Sequence, residues 1–359
     1  MFPWLARVLA HQRGADSQSA ASRLIGTRFG ACPASVPMGL PRALLLPFLC
    51  AALSAQQPPL FRADVNLVRV LATVKNQAGE LVGALQKGDF TVFDNGARQE
   101  IAVFERRTEL PLSVALLVDT SGSTNKELKY EADSASRFLH ALLSEGNPED
   151  AVALYTFNYD VTVQHSFTHN YNSLEARLKT LHGDAGTALY DAIFLTARDL
   201  EPREGRKVIV IVTDGGDTAS SKDVHAALQA AQLADAVIYP VVVMPITSDA
   251  GRNTGGEHAL QFMAEGTGGR PFLPSVGAEL DKAFGDIITE LRTQYLLAFY
   301  PHGVPLTKDP FHKLELRVGR PELRVSARNG YYGEVEGATG TPGARTSIDP
   351  EGQKKRQKK

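Results

Sequence analysis

Leu116-Leu117-Val118-Asp119-Thr120-Ser121-Gly122-Ser123 is the stretch whose reading decides the fold. An apolar run beginning at Val114 breaks off there into an acid, hydroxyls and a glycine. Unbroken apolar character over a strand's length marks a strand buried on both faces, the habit of parallel sheets. From Thr124 the chain turns amphipathic, so the polar stretch reads as a loop running into a helix. In open α/β sheets ligands gather at the carboxyl ends of the strands, where this loop lies. Asp119, Ser121 and Ser123 alternate along it, and a curled loop aims their oxygens at one point. Hard cations such as Mg²⁺ want oxygen ligands in near-octahedral geometry and keep several waters.

Later stretches strengthen this reading. Gly186-Thr187-Ala188-Leu189-Tyr190-Asp191-Ala192 places a threonine at the start of a second amphipathic segment. Arg206 to Val212 is another run of buried-strand type, and it ends in Thr213-Asp214-Gly215. With these residues the chain, from about Leu112 to Arg292, resembles the von Willebrand factor type A (VWFA) domain and its metal-ion-dependent adhesion site. That family's pattern is an Asp-x-Ser-x-Ser loop, a distant Thr, and a more distant Asp after a hydrophobic strand. The resemblance implies that Ser121, Ser123 and Thr187 offer hydroxyls to a metal, while Asp119 and Asp214 hold its waters or bind it directly. It further implies Mg²⁺ as the cation, with Mn²⁺ and Ca²⁺ as alternatives, and a protein partner that supplies a carboxylate. A bacterial (acidobacterial-type) branch of the family carries a similar leader before its central domain.

The 359 residues are enough for one large or two modest domains, and 43% hydrophobic with 22% charged residues is an ordinary globular composition. A net charge of −2 gives no basic field to draw nucleic acid. Met38-Gly39-Leu40-Pro41-Arg42 followed by Ala43 to Leu53 reads as a secretory signal over 38–55, cut near Ala55. The apolar run is too short for a membrane span, so none is expected in the mature chain. Residues 1–37 lack periodicity and read as a mis-called or targeting extension ahead of a true start at Met38. Export to the periplasm, envelope or exterior follows. Cys32 and Cys50 both precede the cut, which excludes thiolate chemistry and cysteine metal sites in the mature protein. Residues 334–359 are rich in Gly, Pro, Thr and Ser and end in a lysine-arginine cluster, the composition of a disordered tail.

The rest of the chain divides by periodicity. Residues 62–107 read as the first part of a β module: a strand from Arg62 to Lys75, then a hairpin from Phe90-Thr91-Val92-Phe93 to Ile101–Phe104 around Asp94-Asn95-Gly96. Residues 108–293 alternate strands with helices, which predicts a doubly wound, mostly parallel α/β sheet. Pro240 inside the run Val237 to Val243 predicts an edge or a bulge for that strand. Residues 294–333 return to strands and are expected to pair with 62–107 in a small β-sandwich-like module, the central domain being inserted between its parts.

Other chemistries are weaker. Asp119-Thr120-Ser121-Gly122-Ser123 could serve merely as a turn with helix-capping hydroxyls, and Asp214-Gly215 as a plain turn. Asp217 reads as a solvent-facing acid. Ser123-Thr124-Asn125-Lys126 has the S-x-x-K spacing of exported serine hydrolases, with Ser123 as nucleophile beside Lys126. The partner motifs of that class are missing, Ser248-Asp249-Ala250 being the nearest. His165 and His169 straddle a strand end, and no H-E-x-x-H helix exists to hold zinc. No general base, activated nucleophile or oxyanion donor pair is legible beside the loop, so the expectation is binding and not catalysis.

Overall fold

The structure, a computed structural model, describes residues 67–106, 109–122, 124, 127–243, 254–305 and 308–333. The expected leader, both cysteines, the carboxyl-terminal tail, Ser123, Lys126 and Ser248-Asp249-Ala250 lie outside the described residues. The chain opens with β1 (Val68–Lys75), β2 (Phe90–Asp94), β3 (Ala97–Gln99) and β4 (Ile101–Arg106). Next come β5 (Leu112–Asp119), α1 (Leu128–Glu145), β6 (Ala151–Phe157), β7 (Val161–Thr168), α2 (Tyr171–Leu178) and α3 (Leu189–Leu200). Then follow β8 (Arg206–Thr213), α4 (Val224–Leu233), β9 (Ala236–Val242), α5 (Thr254–Thr267) and α6 (Ala278–Thr293). Four short strands close the described chain: β10 (Tyr295–Phe299), β11 (Phe311–Val318), β12 (Arg324–Ala327) and β13 (Gly330–Tyr332).

The central sheet is a five-stranded, mostly parallel one of order β7-β6-β5-β8-β9, antiparallel only between β6 and β7. All eight residues of β5 are buried, because both faces are covered. Val114, Leu116 and Val118 point to one face, where Phe138, Leu139 and Leu142 of α1 meet Phe284 and Ile287 of α6. Ala115 and Leu117 point to the other, against Leu189 and Ile193 of α3, Ala227 and Ala231 of α4, and Leu260 and Met263 of α5. The period-2 geometry of a strand turns one continuous apolar run into two such cores. Pro240 lies in β9, the edge strand, as its missing donor requires. Its carbonyl accepts from Phe272 N–H at 2.8 Å, and Val242 N–H returns a bond to Phe272 at 2.8 Å. Neighbouring outward groups of the edge are thereby paired with a passing segment.

The other strands form a sandwich. Sheets of order β12-β1-β10-β4 and β13-β11-β2-β3 face each other across Val70, Ala72, Val92, Tyr295, Leu297 and Phe299. Strands from both ends of the chain pair directly: β1 with β10 (Val68 opposite Phe299) and β2 with β11 (Leu316 opposite Val92). The turn at Asn95-Gly96 has φ of 45° and 82°, the positive pair a type I′ turn demands. The expected hairpin partner was misassigned, however. β2 pairs with β3, and the Ile101–Phe104 segment belongs to β4 in the opposite sheet beside β10. Crossing at Glu100 lets Ile101 face the same core as Val92 from the far side.

Candidate functional site

β5 and β8 are neighbours, yet α1 leaves β5 towards one face and α4 follows β8 on the other. Their loops therefore diverge and open a crevice at the carboxyl ends of these strands, the place where α/β sheets bind ligands. Asp119 ends β5, Thr213 ends β8, and Asp214 follows directly.

Asp119 is fully buried. One carboxylate oxygen accepts the Ser121 N–H at 2.8 Å, and the other accepts the Thr213 hydroxyl at 2.7 Å. The Thr124 hydroxyl donates to the carbonyls of Asp119 and Ser121 at 3.1 and 3.0 Å, which curls the loop back on itself. The third loop is tied to both of its neighbours. Asp184 N–H reaches the Thr120 carbonyl at 2.8 Å, and Ala188 N–H reaches the Asn158 carbonyl at 2.6 Å. On its other side, the Thr187 carbonyl accepts from Thr218 and Ala219, at 2.9 and 3.1 Å, and the Thr187 N–H donates to the Thr218 hydroxyl at 3.0 Å. Gly186, at φ +84°, makes the bend that delivers Thr187.

The charges at this crevice are poorly compensated. Burial pushes the Asp119 carboxyl up to about 6; hydrogen bonds from the Thr213 hydroxyl and from Ser121 oppose the rise, and the nearby Asp214 charge adds to it. Glu131 of α1 is only 1% exposed. Burial, followed by the charges of Asp119, Asp214 and Glu127, pushes it up to about 8. Its Oε2 has no hydrogen-bond partner among the described residues.

Of the sequence-predicted site, Asp119, Ser121 and Asp214 share one electrostatic neighbourhood, and Thr187 sits on a loop bonded to the flanking loops on both sides. Ser123 falls outside the described residues. Sequence reasoning missed Glu131, although it lies on the same helical stripe as Leu128, Ala135 and Phe138. An acid inside an apolar stripe was the available signal. Asp217 also needs correcting. It is half-buried and accepts from Tyr190 N–H at 3.3 Å and the Ser220 hydroxyl at 2.5 Å, so it also fixes the loop against the start of α3. His165 and His169 turn Nδ1 onto the carbonyls of Ser166 and Asp150, away from any shared metal. Among the described residues no group of three or more His, Cys, Asp or Glu is arranged to bind a metal.

Residues 114–216 match the von Willebrand factor type A domain. The match begins inside β5 and ends just past Asp214, so it takes in β5, β8 and the loop that carries Thr187. Solved structures similar to this chain include the conserved hypothetical protein BatB of Bacteroides thetaiotaomicron, at 22% identity, over 50% of this chain and 98% of that one, TM-score 0.41. Another is the vWF domain of the type V pili tip protein Mfa5 of Porphyromonas gingivalis, at 15% identity over 51% and 95%, TM-score 0.42. A third is the PilB minor pilin of Streptococcus sanguinis, at 15% identity over 52% and 62%, TM-score 0.41. No curated protein matches the chain. Among the described residues no helix is long and apolar enough to cross a membrane.

Proposed function

We propose that the type A domain binds a partner protein through a divalent cation, Mg²⁺ in the first instance. Asp119, Ser121, Ser123, Thr187 and Asp214 would hold the ion. The observation that carries this reading is the uncompensated negative charge around the crevice: buried Asp119 and Glu131, each raised by the charge of Asp214, and an orphaned Glu131 Oε2. A folded protein rarely keeps such groups unless a cation or a proton neutralises them. Oxygen-only donors suit a hard cation. The ion would supply a Lewis-acidic charge that hydroxyl ligands leave poorly neutralised, and that charge attracts a carboxylate from outside. The chain's own part is to orient these oxygens by the Thr213, Ser121 and Thr218 hydrogen bonds.

The same reading makes the protein an exported, non-enzymatic binding module of the bacterial branch, released by a cut near Ala55. Amino-terminal sequencing of protein recovered from the cell envelope tests that part. For the site, calorimetry on the EDTA-stripped full chain should show saturable Mg²⁺ binding that Asp119→Ala abolishes while the far-UV spectrum is unchanged. A fluorescent acyl probe that labels Ser123 would instead make the protein a serine hydrolase and overturn the proposal.

A further inference from the structure

At the opposite end of the central sheet, a cavity of about 240 Å³ opens between the sandwich and the amino ends of β8 and β9. Its wall carries Arg69 from β1, Arg203 from the loop before β8, Arg206 and Lys207 from the start of β8, and Arg328 after β12. The acids on the same wall, Glu201, Glu204 and Asp235, are all exposed. Exposed charges are screened by water and salt, whereas partly buried ones keep their field. Arg203, Arg206, Lys207 and Arg328 are all at least half-buried, so the interior of the cavity is positive.

Most of these cations make only local bonds. Arg206 bonds the carbonyls of Leu110 and Leu291, and Lys207 bonds the Glu201 carbonyl at 2.7 Å. Arg203 donates through Nε to the Ser113 hydroxyl at 3.0 Å. Arg328 pairs with Asp235 through Nη1, but its buried Nε has no partner among the described residues. Arg69 has no ion-pair partner among the described residues; burial lowers the Lys207 ammonium, the Asp235 charge opposes this, and the Arg69 charge adds to it. Cations from the sandwich and the central sheet thus line one cavity, and the buried Arg328 Nε–H has no acceptor among the described residues.

We propose that this cavity binds a small phosphate-class oxyanion, free or esterified, held by Arg69, Lys207 and Arg328. Guanidinium groups match the paired oxygens of a tetrahedral anion, and an ammonium adds a point charge. The bound anion would bridge the sandwich to the central sheet. This site stands apart from the crevice and needs no metal.

Calorimetry on the full chain in EDTA, at ionic strength fixed with sodium chloride, tests it with inorganic phosphate and glycerol phosphate as probes. At least one probe should bind saturably, and Arg328→Gln and Lys207→Gln should each weaken it about tenfold or more. Arg69→Gln, at an exposed strand position, checks the same effect where folding is least disturbed. Arg317→Gln, on a solvent-facing part of β11, should change nothing. Preference for inorganic phosphate identifies a free anion, and preference for the ester identifies an esterified one. Heats that do not saturate with either probe, or equal binding by wild type and the cavity variants, would overturn the assignment.

Discussion

Asp119 and Glu131 show how single side chains set the behaviour of the whole crevice. Both carboxyls are raised when folded, Asp119 from 3.8 to about 6 and Glu131 from 4.5 to about 8. In metal-free protein the folded state therefore holds more protons than the unfolded chain between roughly pH 4 and 8, and stability must fall as pH rises through that window. Thermal unfolding in EDTA should give a lower Tm at pH 8.5 than at pH 5, and Glu131→Gln should flatten the alkaline part of the slope. Protons and cation compete for Asp119 in the proposed site, so Mg²⁺ affinity should rise with pH through about 6. The places of Asp119, Ser121 and Asp214 at the ends of β5 and β8, and of Thr187 just before α3, were legible in the sequence because apolar runs stop there. Glu131 and Thr213 were not picked out. Their roles depend on which strand lies beside which, and that is not written in local pattern.

Loops at the scale of the element are held by backbone contacts that admit no side chain. Gly256, near the start of α5, sits where a Cβ would overlap the Gly215 carbonyl, directly after Asp214. Gly256→Ala should push the Asp214 loop aside. We expect a Mg²⁺ affinity at least tenfold lower in calorimetry, with a Tm loss of only several degrees. An unchanged affinity would mean that the Asp214 loop does not depend on this contact. The strands and helices of the central sheet were readable from periodicity because core burial and local pattern agree there. β13 was not foreseen: three residues are too few for a period to show, and its place depends on pairing with β11. The misassigned β2 partner has a similar cause, since alternation along Ile101–Arg106 fits either sheet of a sandwich.

For the whole molecule, a buried acid helps to join the sandwich to the central sheet. Glu290 of α6, 4% exposed, accepts from Lys75 of β1 at 2.5 Å and from Arg270 at 2.6 Å. Glu290→Ala leaves both cations without their acid. Because Lys75 and Arg270 stay partly exposed, the loss should be on the order of 2 kcal/mol, below the range for a fully buried pair. Urea denaturation measures it, and a change within a few tenths of a kcal/mol would show that the Glu290 cluster adds nothing to the joint. The second half of the sandwich was anticipated from the return to strands over residues 294–333, but the joint itself was invisible, since Lys75 and Glu290 lie 215 positions apart.

That separation has a consequence for how the protein is made. β1 leaves the ribosome early, yet its partners β10 and β12 are synthesised only after the entire central sheet. The nascent β1 must wait, its ladder groups open to any passing chain, while the inserted sheet folds first from contacts nearer in sequence. Completion of the sandwich must then await β10 and β12, which bring the segments before and after the central sheet together.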